Sequence, residues 1–257
     1  MKKQLLNIIT TTAVTCALFI SIAHGQDINQ QTQVAPKFMI GFTGGVTMPM
    51  GNFAKTDYYN GASGFAGTGG NFGFTATYFI DKHWGISELF SYHQFNFVGA
   101  ENMALGMQGF PDGFDCDSVN FKVMGNNHTF NFLIGPVYTT GISKKLNLDF
   151  RLLVGFVNAN LAGNSFTITD GGVTDPTFYQ AVSWANTFGS QLGAALRYNI
   201  SKHVSLSANV DFFYSKPDFE VNNINRNNLA GREILSYDQP VEGINGNLTL
   251  YYILSRK

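Results

Sequence analysis

The chain has 257 residues, with 16 lysines and arginines against 17 aspartates and glutamates, 13% charged residues, 14% aromatics and 28 glycines. A net charge of −1 excludes the basic excess of a nucleic-acid binder, and 2 cysteines exclude a disulfide framework. Charged residues fall well short of the roughly 25% usual in soluble domains, and 24 phenylalanines accompany them, so an ordinary water-facing surface is excluded as well.

The chain opens Met1-Lys2-Lys3, runs apolar from about Ala13 to Ala23, and reaches Ala23-His24-Gly25. A basic start, a short apolar run and small residues at Ala23 and Gly25 predict a cleaved signal peptide over 1–25. Cys16 inside the run has Ala13 where a lipoprotein site would carry leucine. A polar leader follows over 26–36, and the mature chain keeps only Cys116. Beyond Gly25 no stretch holds the ~20 apolar residues of a membrane helix. A chain that lives in lipid without such helices has one remaining solution, a closed β-barrel.

Strand patterns then follow in order. Residues 37–50 alternate Phe38, Ile40, Phe42, Val46 and Met48 with Gly41, Thr43, Gly45 and Thr47. This period of two marks a strand with unlike faces. Residues 71–80 repeat the pattern with Phe72, Phe74, Ala76, Tyr78 and Ile80. The third candidate, 84–98, loses phase at Glu88, and a bulge there would restore it. Strands four to eight are predicted over 129–141, 147–161, 186–200, 205–215 and 242–254. Pro136 interrupts the fourth and predicts a bulge or bend. The fifth is the clearest, with Leu148, Phe150, Leu152, Val154 and Phe156 opposite Asn147, Asp149, Arg151 and Gly155.

A seven-residue phrase punctuates this series three times: Ile80-Asp81-Lys82-His83-Trp84-Gly85-Ile86, Ile142-Ser143-Lys144-Lys145-Leu146-Asn147-Leu148 and Ile200-Ser201-Lys202-His203-Val204-Ser205-Leu206. Each places Asp or Ser and two basic or imidazole residues between apolar ones, as a tight turn between strands requires. Long polar connections alternate with these turns at about 51–70, 99–128, 162–185 and 216–240. Ten tilted residues at ~3.3 Å rise span roughly 25 Å, the height of a lipid-facing band. The fold class is therefore all-β: an eight-stranded antiparallel up-and-down transmembrane barrel over 37–257, with short periplasmic turns and long extracellular loops. A soluble β-sandwich is the alternative, and it would need polar outer faces.

The signal peptide, the alternating aromatic strands and the Lys-x-Trp-Gly-Ile form of the first turn (Lys82 to Ile86) resemble the small outer-membrane barrels of Gram-negative bacteria, the OmpA/OmpX-like or porin-family group. The resemblance covers about 37–257 and implies location in the bacterial outer membrane. It implies outer-membrane lipids and lipopolysaccharide as surroundings, the barrel-assembly machinery as a partner during insertion, and an unidentified extracellular ligand at the loops. The chain departs from the pattern by ending Leu254-Ser255-Arg256-Lys257 rather than on an aromatic, so Tyr252 or the Tyr251-Tyr252 pair would supply the assembly signal.

Glu88, Asp149, Arg151, Gln191, Arg197, Asn209 and Asp211 are expected to point into the barrel as a polar network. In so narrow an interior arginines and carboxylates pair and fill the space, or they line a narrow conduit. Trp84, Tyr78, Tyr138, Tyr198, Tyr214 and Tyr252 are candidates for the interfacial aromatic girdle. No catalytic residue, metal or cofactor is expected. Ser91, His93 and Glu88 are close in sequence, but Ser91 and His93 share a face only if the third strand runs unbroken, and Glu88 then points the other way. Three carboxylates within residues 111–117 do not match a calcium loop, and the glycine-rich stretch 61–73 fits no phosphate loop. The leading function is a non-enzymatic structural or surface-binding envelope protein. A narrow diffusion channel and a lipid-modifying enzyme are the alternatives.

Overall fold

A computed structural model describes residues 36–108, 116–225 and 233–254. The expected signal peptide and nearly all of the expected leader lie outside these residues, as do Asp112, Asp115 and the last three positions. Eight long strands form the wall: β1 (Phe38–Pro49), β3 (Gly69–Phe79), β4 (Trp84–Phe97), β6 (Asn127–Gly141), β7 (Leu146–Leu161), β10 (Ser183–Asn199), β11 (Val204–Ser215) and β14 (Val241–Leu254). Each pairs antiparallel with its neighbours in that order, and β14 returns to β1 through a register from Phe38–Leu254 to Pro49–Gly243. The sheet is thereby closed, and a two-residue β2 (Ala66–Gly67) lies beside the outer end of β4.

Alternation explains the wall. On β3, Asn71, Gly73, Thr75, Thr77 and Phe79 point inward and are buried, while Phe72, Phe74 and Tyr78 stand exposed on the outer face. The same division runs round the barrel, with Phe42, Phe132, Leu152, Leu192, Val210 and Leu250 exposed. An exterior made of such side chains is stable only against hydrocarbon, which identifies the outer face as a lipid-facing band. The polar-faced sandwich is overturned by this surface.

The bulge expected at Glu88 is absent, and Pro136 interrupts one ladder without forming one. Strand β4 pairs in unbroken register with β3 from Asn71–His93 to Phe79–Gly85, and with β6 from Trp84–Tyr138 to Phe95–Asn127. It therefore has no bulge at Glu88, and the side chain turns outward. Pro136 also introduces no extra residue. The ladder between β6 and β7 lapses at Gly135 and Pro136 and resumes in the same register at Val137–Arg151. Gly135 permits this close passage, because a Cβ there would sit 2.0 Å from the Leu152 carbonyl oxygen.

The long connections are not irregular. They carry helix α1 (Ala100–Gln108) and a second antiparallel sheet of β5 (Ser118–Met124), β8 (Gly163–Asp170), β9 (Val173–Gln180), β12 (Asp218–Asn225) and β13 (Glu233–Asp238), in the order β13-β12-β9-β8-β5. Strands β8 and β9 continue β7 and β10 past the barrel and reverse at Gly171-Gly172, whose φ values of 56° and 79° suit the tight hairpin turn open to glycine. Phe219 and Val221 of β12 pack on Ala159 and Ala185, which fastens this crown to the wall.

Candidate functional site

The interior is built in layers. At the short-turn end Met39, Phe79, Val137, Tyr251 and Ile253 form an apolar floor. Beside it lie two bidentate ion pairs. Arg151 donates from Nε and Nη2 to Asp211 at 2.8 and 2.7 Å, and Arg197 donates from Nε and Nη2 to Asp149 at 2.7 and 3.0 Å. Thr139 donates to Asp149 at 2.5 Å and accepts from Arg197 at 3.1 Å. Pairing of this geometry is what makes four buried charges tolerable. Gly193 leaves the necessary room, since a Cβ there would lie 1.8 Å from Asp211 Oδ1 and 3.1 Å from Arg151 Nε.

In the same rows of the sheet as Arg197 and Asp149, Ser207 donates to Asn209, Asn209 to Thr249 and Thr249 to Thr43, a relay crossing three strands. Gln191 is also buried. Leu89, Leu133, Leu153 and Val157 fill the opposite side. At the outer mouth Phe53, Ala66, Phe95, Phe213 and Val241 close the barrel. Phe53 comes from the first long connection, and its ring meets Phe95 edge-on at 5.0 Å. A cavity of about 10 Å³ remains beside this cluster, room for a single water.

Asp149, Arg151, Gln191, Arg197, Asn209 and Asp211 thus face the interior, and all are buried. Glu88 does not join them. It stands exposed on the lipid-facing surface between Ala76 and Ile134, midway along β4 between Trp84 and Tyr92. The unbroken pairing of β4 fixes its side, and continuous ladder bonds outweigh the preference of one carboxyl for the interior.

The Ser91, His93 and Glu88 set is split by the same fact. Ser91 and His93 face inward, with Ser91 accepting from Asn131 at 3.2 Å and His93 set edge-on to Phe213 at 4.9 Å, while Glu88 is on the other side of the wall. In the crown, the Asp117 carboxylate accepts from the Gly171 amide at 2.9 Å, and Cys116 is half-buried. Among the described residues no group of acids, histidines or cysteines could hold a metal.

The three short turns share one geometry. Asp81 accepts from the amides of His83 and Trp84, both at 2.7 Å, which hold its carboxyl below the usual aspartate value. Ser143 accepts likewise from Lys145 and Leu146, and Ser201 from His203 and Val204. Trp84, Tyr78, Tyr138, Tyr198 and Tyr252 lie on the outer face near this rim, whereas Tyr214 stands at the other end of β11. Sequence reasoning missed the rim units, Phe53 and Gly193. The repeated phrase is the one signal that could have found the first.

No protein-family model matches the chain, and no curated protein matches it in sequence. Solved structures do. The chain is similar to a major outer membrane protein of Thermus thermophilus at 11% identity and a TM-score of 0.51, over 84% of this chain and 99% of that one. It also resembles Ail, the attachment invasion locus protein of Yersinia pestis, at 13% identity and a TM-score of 0.41, over 86% and 99%. A third likeness is to the outer membrane protease OmpT of Escherichia coli, at 7% identity and a TM-score of 0.43, over 88% and 99%. At 11% identity the likeness to the Thermus protein extends to the fold, that of an outer-membrane protein, and not to an activity.

Proposed function

We propose that this chain is an integral protein of the bacterial outer membrane with a structural or surface-binding role, non-enzymatic, whose working part is the crown rather than the barrel interior. The observation that carries this reading is the sealed interior: an aromatic cluster at the mouth, an apolar floor and paired charges between them. A diffusion channel needs a continuous wet path, and Phe95, Leu153 and Asp211 are each 0% exposed. Outer-membrane lipids and lipopolysaccharide would surround the band, and the barrel-assembly machinery would receive the chain during insertion.

Charge favours a particular surface partner. Among the described residues Asp57, Glu101, Asp117, Asp170, Asp218, Glu220 and Asp238 stand at the crown end against Lys55, Lys122 and Lys216. Such an excess suits a basic protein or peptide segment as the extracellular ligand. Purified protein in a planar bilayer tests the central claim. The expected result is a silent membrane; stepwise conductance that changes on replacing Arg151 and Arg197 together would overturn it.

A further inference from the structure

Four strands that run outward from the short-turn rim begin with the same unit, although only three follow a copy of the repeated phrase. A base immediately precedes or opens each strand: Lys37 at β1, His83 at β4, Lys145 at β7 and His203 at β11. In every case its backbone carbonyl accepts an amide from the adjacent strand: Phe79 at 3.0 Å, then Thr139, Asn199 and Ile253 at 2.7 Å. Each side chain then covers the tyrosine one residue before that amide. Lys37 and Lys145 place Nζ 6.0 Å from the ring centres of Tyr78 and Tyr198. His83 and His203 stack on Tyr138 and Tyr252 at 5.8 and 6.1 Å. The histidines are further fixed by Nδ1 contacts of 3.0 and 3.3 Å to the carbonyls of Thr139 and Ile253.

Lys82, Lys144 and Lys202 occupy the turn tips beside these units and are exposed. Among the described residues these and Lys37 and Lys145 make five cations against one rim carboxylate, Asp81, a balance of 5 − 1 = +4. None of the five forms an ion pair with a carboxylate among the described residues. The tyrosines stand where the apolar band ends, the depth of the headgroups. A lysine stem laid along such a ring keeps its ammonium at that same depth.

From this geometry we infer that the short-turn rim is a binding ring for anionic phospholipid headgroups of the facing leaflet, with the lysines taking the phosphates. In the usual orientation of this fold that leaflet is the periplasmic one. The ring lies at the opposite end from the crown, so it stands or falls separately from the surface-binding reading. Anchored cations at headgroup depth would enrich anionic lipid about fivefold at a contact, the equivalent of about 1 kcal/mol per lysine engaged.

Trp84 packs at 5.0 Å against Tyr138 and reports on the ring, while Trp184 lies at the other end of the wall. A Trp184→Phe protein in phosphatidylcholine vesicles is therefore titrated with brominated phosphatidylglycerol or brominated phosphatidylcholine. Trp84 quenching should show about fivefold preference for the anionic lipid. Replacing Lys37, Lys82, Lys144, Lys145 and Lys202 by glutamine should bring the ratio to about one, with heat-modifiable gel mobility confirming a folded barrel. If that variant does not insert, Lys82→Gln with Lys202→Gln, at exposed tips, should lower the ratio. Glutamine at Lys55, Lys122 and Lys216 should leave it unchanged. No preference in the parent, or a preference that survives the rim substitutions, overturns the inference. A preference lost to inorganic phosphate but not to chloride of equal ionic strength assigns the ring to free phosphate, and overturns it as well.

Discussion

Replacing Gly193 with alanine tests the logic of the barrel interior at its tightest point. The new Cβ would lie 1.8 Å from Asp211 Oδ1, well inside contact distance, and would displace the carboxylate from Arg151. Both charge-assisted bonds of that pair, at 2.8 and 2.7 Å, would break in a space where neither group can reach bulk water. Losing a buried pair costs about 3–5 kcal/mol, so Gly193→Ala should lose about 3 kcal/mol or more despite adding a single methyl group. Urea unfolding in vesicles, followed by tryptophan fluorescence, measures it. The decisive comparison is a double-mutant cycle with Asp211→Ala, where the obstructing carboxylate is gone and the added methyl should cost little. An equal cost in both backgrounds would refute the reasoning and show that the glycine serves the backbone rather than the ion pair.

Three further outcomes are expected. Glu88→Leu should stabilise the barrel in bilayers by about 1–2 kcal/mol, since a mid-band carboxyl facing lipid is a burden; a loss measured in the same urea assay would mean that the carboxyl has a partner. Gly172→Ala, at φ 79°, should cost the crown hairpin about 1–2 kcal/mol and speed its proteolysis on intact barrels, whereas unchanged cleavage would remove the turn argument. The folded-state pKa of Asp81 is depressed by the amides of Trp84 and His83, so its contribution is full above the unfolded value of 3.8 and fades as pH falls through the lower folded value. The gap in urea midpoint between native protein and Asp81→Ala should therefore hold at neutral pH and close on acidification. A gap independent of pH would contradict it.

The wall was legible because lipid on one side and packed polar groups on the other impose a period of two on every strand. Boundaries for β7 and β11 fall within a residue of the expected ones. The crown was not legible for the complementary reason. Gly163–Asp170 has no lipid face, and its partners are the other arm of its own hairpin and a strand from a different connection, so no alternation between lipid and interior marks it as a strand. At Glu88 the lost phase in the sequence suggests a bulge and an inward carboxyl, whereas the chain keeps its register and turns the carboxyl to the outer face. Asp149, Arg151, Arg197 and Asp211 were visible as interior residues from alternation alone. Which arginine meets which carboxylate depends on pairings across β7, β10 and β11, and sequence spacing does not carry that.

The seam between β1 and β14 governs how the protein must fold. It joins Phe38 to Leu254, whereas every other wall pairing joins strands that follow one another along the chain. The entropy of closing so long a loop is repaid only after the other seven pairings stand, which makes this the last and slowest contact to form. Until then both strands expose a full row of unpaired amides and carbonyls, the part of the chain most prone to wrong association. Substitutions that weaken this seam should therefore act first on the rate of insertion and on losses to aggregation, and only later on the equilibrium stability of the finished barrel.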